Sequence, residues 1–178
     1  MLSPHRFFFL VFLFCLSGMA FALTLQHLQH IEPCPLCIFQ RIALISAGIV
    51  SLIAGLHLST IHTSHIAQRI YSVLLGLSSV SGAGIALRQV WIQHLPADQV
   101  PDCGPGLNYM LDVFPLQKVV SMVLRGSGEC AKIDWTLFGF SLPEYSLLAF
   151  AGLFILSCWQ FRQSLSMSDR LVAGKDRS

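Results

Sequence analysis

Residues 33–41 read Pro-Cys-Pro-Leu-Cys-Ile-Phe-Gln-Arg, so two thiols, Cys34 and Cys37, stand three positions apart and Arg41 stands four beyond the second. Pro35 suits the first turn of a helix, where its missing N–H is not needed, and a helix starting there sets Cys37 at its N-terminus. The partial positive charge of that end lowers a thiol pKa and favours the nucleophilic thiolate. The i, i+4 spacing brings Arg41 onto the face of Cys37, beside a thiolate or beside any electron-accepting ligand that gains negative charge. On its own a Cys-x-x-Cys fits a structural disulfide or half of a metal site equally well.

Two more thiols outside the apolar stretches, Cys103 and Cys130, flank an amphipathic segment. Leu116, Val119, Val120, Val123 and Leu124 follow helical spacing, and Gly126 and Gly128 end the run. Such a helix can lie in a membrane interface with its apolar face in lipid. A bond between Cys103 and Cys130 would close a loop over the 26 residues between them, a constraint worth roughly 3 kcal/mol on the chain-entropy account. One thiol pair fixed at a helix start and one in a loop suit a relay. Exchange needs only a thiolate that reaches a disulfide sulfur, so a soluble partner can reduce the loop pair, which then reduces the fixed pair. Two purely structural disulfides would leave the helix-start placement and Arg41 without a purpose. A four-thiolate zinc site lacks a second closely spaced pair, and no metal is expected.

The elements that must position these thiols are membrane spans. The chain of 178 residues is 54% hydrophobic and only 11% charged, where a soluble domain carries roughly 25% charged residues. A net charge of +2 with no phosphate-binding loop or basic aromatic patch argues against nucleic acid as a partner. Apolar runs place spans at about 7–28, 42–58, 70–87 and 145–161, each near the ~20 residues a helix needs to cross a bilayer. For the first, a cleaved signal peptide with Ala20-Phe21-Ala22 as its site is the competing reading, but the apolar run continues past that point. Loops at about 29–41 and 88–143 separate the spans on the thiol side, and the longer is too poor in apolar residues to fold by itself. The expectation is a single membrane domain over residues 1–178, an all-α four-helix bundle in the lipid bilayer. Gly76, Ser78, Ser79, Ser81, Gly82, Ala83 and Gly84 in the third span are read as close-packing residues. Cys15 and Cys158 are read as packing thiols.

Orientation follows from the basic residues. Arg6, Arg69, Arg162, Arg170, Lys175 and Arg177 flank the spans on one side, which marks the cytoplasm and places both termini there. The four loop cysteines then face the opposite compartment, in a bacterium the oxidising periplasm. Arg41 and Arg88 go against this trend, each at the outer boundary, where a snorkelling anchor competes with a role at a site.

Four spans, a Cys-x-x-Cys opening the second, an arginine four residues on and a cysteine pair in the long loop resemble the bacterial DsbB family of disulfide bond formation proteins. The resemblance covers the chain from the first span to the fourth. It implies an inner-membrane oxidoreductase that reoxidises a DsbA-like periplasmic thiol oxidase and delivers electrons to the membrane quinone pool, as ubiquinone or menaquinone. It further implies redox disulfides Cys34–Cys37 and Cys103–Cys130, with Cys103 attacked by the partner, Cys130 exchanging with Cys34, and Cys37 facing a quinone near Arg41. Related proteins often carry His near the end of the third span, where this chain has Gln89. A glutamine can hydrogen-bond a carbonyl but cannot ionise, and Arg88 is the neighbouring residue that could compensate. A paralogous thiol–quinone oxidoreductase with a specialised partner, and a non-catalytic membrane protein stapled by disulfides, are the alternatives.

Overall fold

The computed structural model describes residues 3–29, 33–60, 65–96, 98–101, 107–133 and 135–175. Their elements run α1 (Pro4–Gln29), α2 (Pro35–Thr60), α3 (His65–Gln93), α4 (Leu107–Val113), α5 (Leu116–Arg125), α6 (Gly128–Ala131), β1 (Thr136–Leu137), β2 (Phe140–Ser141) and α7 (Leu142–Lys175). Among the described residues four helices are long and apolar enough to cross a membrane: Pro4–Leu28, Pro35–Thr60, His65–Gln93 and Leu142–Ser166. All four expected spans are there, and each helix runs past its apolar core. A helix continues through polar residues as long as its backbone bonds are made, so α2 already begins at Pro35 and carries both Cys37 and Arg41.

The long helices form a bundle in which α2 packs on α1 and α3, and α3 on α7; Phe7 of α1 meets Trp159 of α7 to close it. Phe8, Val11, Ala47, Ala54, Leu75, Phe150 and Leu153 are buried at its centre. Lipid is as apolar as these side chains, so close fit holds the helices together. Of the small residues in α3, Gly76, Ser79 and Gly82 are buried, whereas Ser81 and Gly84 face outward. A Cβ at Gly82 would overlap the ring of Phe150, which makes this glycine the tightest point of the α3–α7 seam.

A second apolar cluster lies at the thiol end, where Leu36 of α2 and Ile92 of α3 meet Met110, Val119, Val123 and Cys130 of the long loop. The loop therefore leans on the helix ends, as its composition demands. The amphipathic helix appears as α5, closed by Gly126 at φ +82. Its apolar side is divided. Val119 and Val123 are buried against protein, while Leu116, Val120 and Leu124 stay exposed, so only the latter are left for lipid. A short antiparallel hairpin of β1 and β2, paired Thr136 with Ser141 and Leu137 with Phe140, joins the loop to α7 and was not expected from the sequence.

Candidate active site

The fixed thiol pair is built by the start of α2. Cys34 is its N-cap: the carbonyl of Cys34 accepts the first helical bond from Ile38 N–H at 3.1 Å, and its sulfur accepts from Cys37 N–H at 3.4 Å. A thiol here does what a Ser or Asp does at other helix starts. The positive end of the helix thus acts on both sulfurs, where the sequence pointed only to Cys37. The two sulfurs lie 2.9 Å apart.

Gln89, buried near the end of α3, faces this pair. Its Nε2 donates to Cys34 Sγ at 3.3 Å and to Cys37 Sγ at 3.2 Å. Its Oε1 accepts from Gln40 Nε2 at 2.7 Å. Gln40 is a site residue that the sequence reading passed over. A buried glutamine in an apolar span, three residues from Cys37, was the available signal, since polar groups at membrane depth mark function. Arg41 donates from Nη1 to Gln26 Oε1 of α1 at 2.5 Å, which aims the guanidinium along the wall it shares with Cys37.

Arg88 stands apart from this group. It does not line this wall, and instead donates from Nε to the Leu124 carbonyl at 3.3 Å and from Nη2 to the Arg125 carbonyl at 3.0 Å. Those are orphan carbonyls at the negative end of α5, and a cation there satisfies them. Arg88 thereby ties the loop helix to α3. Of the histidines, His27 is exposed, His57 bonds Tyr71, and His30 and His62 lie outside the described residues.

Cys130, 1% exposed in α6, packs behind Cys34. Its sulfur accepts a hydrogen bond from Cys34, and Ser127 Oγ lies 3.7 Å away. These contacts split the two thiols electrically. The Cys34 bond first, then backbone N–H groups of Ser127 and Leu36, pull the Cys130 thiol down to about 6 against the opposing effect of burial. Donating a hydrogen bond to Cys130, together with its bond to Cys37 and its burial, pushes the Cys34 thiol up. These surroundings favour the anionic form of Cys130 and the protonated form of Cys34. The fourth cysteine, Cys103, lies outside the described residues. In the fully reduced protein a thiolate absorbance step is expected near pH 6, with the thiolate present above it and protonated as pH falls through it. Cys130→Ser should remove that step, and Cys34→Ala should move it up toward the ~8.5 of an ordinary thiol. A step that stays near pH 6 in Cys34→Ala would show that Cys34 is not what stabilises the thiolate.

The pair opens on a cavity of about 390 Å³ between α1, α2, the hairpin and α7. Phe14, Phe21, Leu44, Trp135, Leu142 and Phe150 give it apolar walls, and its polar lining includes Cys34, Cys37, Gln26, Gln40, Arg41 and Gln89, with Gln93, Glu129 and Lys132 also present. Phe21 and Trp135 meet edge to face at 6.0 Å between ring centres, linking α1 to the hairpin across the rim. Apolar walls with a few convergent donors suit a flat, lipid-soluble ring with carbonyl oxygens, and the volume is within the usual range for small-ligand sites, roughly 300–1,000 Å³.

A four-helix membrane bundle that carries three sulfurs in contact at the edge of an apolar cavity defines a membrane thiol–disulfide oxidoreductase. Residues 4–160 match the family described as disulfide bond formation protein DsbB. The chain is 51% identical to disulfide bond formation protein B of Acinetobacter baumannii, over 85% of this chain and 86% of the relative. It is 45% identical to the protein of the same name from Hahella chejuensis, over 90% and 93%, and 43% identical to disulfide bond formation protein B 1 of Pseudomonas aeruginosa, over 89% and 95%. The chain belongs to the DsbB family, thiol:quinone oxidoreductases that reoxidise DsbA and pass the electrons to quinone.

Proposed function

We propose that this chain oxidises a DsbA-like periplasmic dithiol protein through Cys103 and Cys130, with Cys34 and Cys37 as the pair that faces a membrane quinone in the cavity. The observation that carries this reading is the position of Cys34, which touches Cys37 on one side and Cys130 on the other. The partner's thiolate attacks Cys103 of a Cys103–Cys130 disulfide, and the electron pair of the broken bond leaves on Cys130. The partner's second thiolate then displaces Cys103, so the partner departs as a disulfide. Cys130 attacks Cys34, the Cys34–Cys37 bond breaks, and Cys37 is left as thiolate. Cys103 finally displaces Cys34 from Cys130, which restores the loop disulfide and leaves the fixed pair reduced. Every step is an exchange that conserves electrons.

A quinone in the cavity supplies an acceptor for two electrons and two protons. The protein's part is to orient it: Arg41, held by Gln26, presents a forked cation to a ring oxygen, and the apolar walls keep water from the reduced pair. The basic flanks support a topology with both termini cytoplasmic and the thiol end periplasmic.

One experiment tests both the reaction and its side. Right-side-out inner-membrane vesicles should oxidise a reduced, membrane-impermeant dithiol protein at a rate that depends on added quinone. Inverted vesicles should do so only after detergent opens them. Oxidation that needs no quinone would overturn the electron route, and activity confined to intact inverted vesicles would overturn the orientation.

A further inference from the structure

Two buried amides stand beside the fixed pair, and their bonding has a direction. Gln89 Nε2 carries two N–H groups, and it faces two sulfurs, at 3.3 Å and 3.2 Å. A glutamine side chain could equally turn its oxygen that way, which would set a lone pair against a sulfur anion. Gln40 favours one of the two orientations, because its Nε2 donates to Gln89 Oε1 at 2.7 Å; in that orientation Gln89 Nε2 is nearer to Cys37 Sγ, at 3.2 Å, than Oε1 is, at 3.6 Å. Gln40 and Gln89 are 6% and 3% exposed, so water competes little for these bonds.

We propose that Gln89 stabilises Cys37 as the leaving thiolate, and that Gln40 is a positioning residue that aims the Gln89 amide. This rests on the reading of Cys34–Cys37 as the redox pair. When the Cys130 thiolate attacks Cys34 Sγ, the Cys34–Cys130 bond forms as the Cys34–Cys37 bond breaks. The electron pair goes to Cys37 Sγ, which becomes an anion without taking a proton. An N–H already aimed at that sulfur strengthens as the charge develops and requires no rearrangement. An imidazolium placed there would lose half its donors as pH rose through its pKa, whereas an amide donates equally at every working pH.

The test uses the full-length protein in detergent with Cys103 and Cys130 both changed to Ser, so that only the fixed pair exchanges with the buffer at this site. The fraction of Cys34–Cys37 disulfide is quantified after equilibration in glutathione mixtures. Gln89→Leu should disfavour the reduced pair by about ten- to a hundredfold in its equilibrium constant, as loss of a bond to an ion implies. Gln89→His, which keeps an N–H donor, should recover most of that loss. Gln40→Glu accepts but cannot donate, so it should turn the Gln89 amide round and shift the constant in the same direction. In the Gln89→Leu background it should do nothing further. If the carboxylate prevents folding, Gln40→Met removes the donor at similar volume and should give a smaller shift of the same sign, again only when Gln89 is present. A constant within about twofold of the parent in Gln89→Leu, or equal Gln40 effects in both backgrounds, would overturn the inference. Failure of the parent to form a Cys34–Cys37 disulfide in any mixture would overturn the redox reading itself, and this inference with it.

Discussion

Cys130→Ser is expected to abolish oxidation of the protein partner, by about three orders of magnitude or more, as loss of a reacting nucleophile does. Cys130 is the sulfur that contacts Cys34 from the loop side, and the surrounding cluster of Leu36, Ile92, Val119 and Val123 leaves little room for another thiol to take its place. The same variant should still pass electrons from a small dithiol to quinone, because such a reagent can reach Cys34, half-buried at the cavity edge, without the loop. This split separates a relay from a general loss of folding. A partner that retains only its attacking cysteine gives a second reading on the unaltered chain. It should be captured on Cys103, and peptide mapping of the capture should find Cys34 joined to Cys130. Cys130→Ser turnover within tenfold of the unaltered chain, or capture with Cys130 still free, would sink the assignment.

Arg41→Lys should raise the KM for quinone by about ten- to a hundredfold while leaving single-turnover exchange between partner and loop cysteines nearly unchanged. A charged hydrogen bond is worth roughly 1.5 to 3 kcal/mol, and ~1.4 kcal/mol is a factor of ten in binding. Lysine keeps the charge but loses the planar fork, and so could not both keep the bond to Gln26 and offer a second donor to a ring oxygen. The check is steady-state partner oxidation across a quinone titration beside single-turnover exchange with no quinone added, where KM follows binding if chemistry is the slow step. Gln26→Leu, which frees the guanidinium without removing it, should give a smaller change of the same sign. An unchanged quinone dependence in Arg41→Lys would reduce Arg41 to an anchor at the membrane boundary.

The local features of the site were legible in the sequence and the long-range ones were not. Pro35 announced the start of α2, the heptad-like spacing of Leu116 to Leu124 announced α5, and i, i+4 spacing put Arg41 on the wall with Cys37. Each of these follows from one turn of helix. That Gln89 serves the sulfurs, that Gln40 holds Gln89, and that Arg88 closes the end of α5 all depend on how α2 and α3 are rotated about their axes. Small residues such as Gly82 set that rotation through fit against Phe150, and fit is not visible in one sequence. The division of α5 between protein and lipid was hidden for a related reason: both surroundings are apolar, so the same valine suits either.

The contact of Cys34 with two other sulfurs has a consequence for isolation. A sulfur can hold one disulfide at a time, so in the proposed relay Cys34 would work as a changeover switch with two throws, Cys37 and Cys130. While it is closed toward the loop, Cys37 is disconnected from every thiol on that side. While it is closed toward Cys37, the buried Cys130 is the loop thiol in contact with the junction. In that relay current would cross in packets of two electrons, and the oxidising end would never be wired straight through to whatever soluble thiols surround the protein. The circuit is broken before it is made.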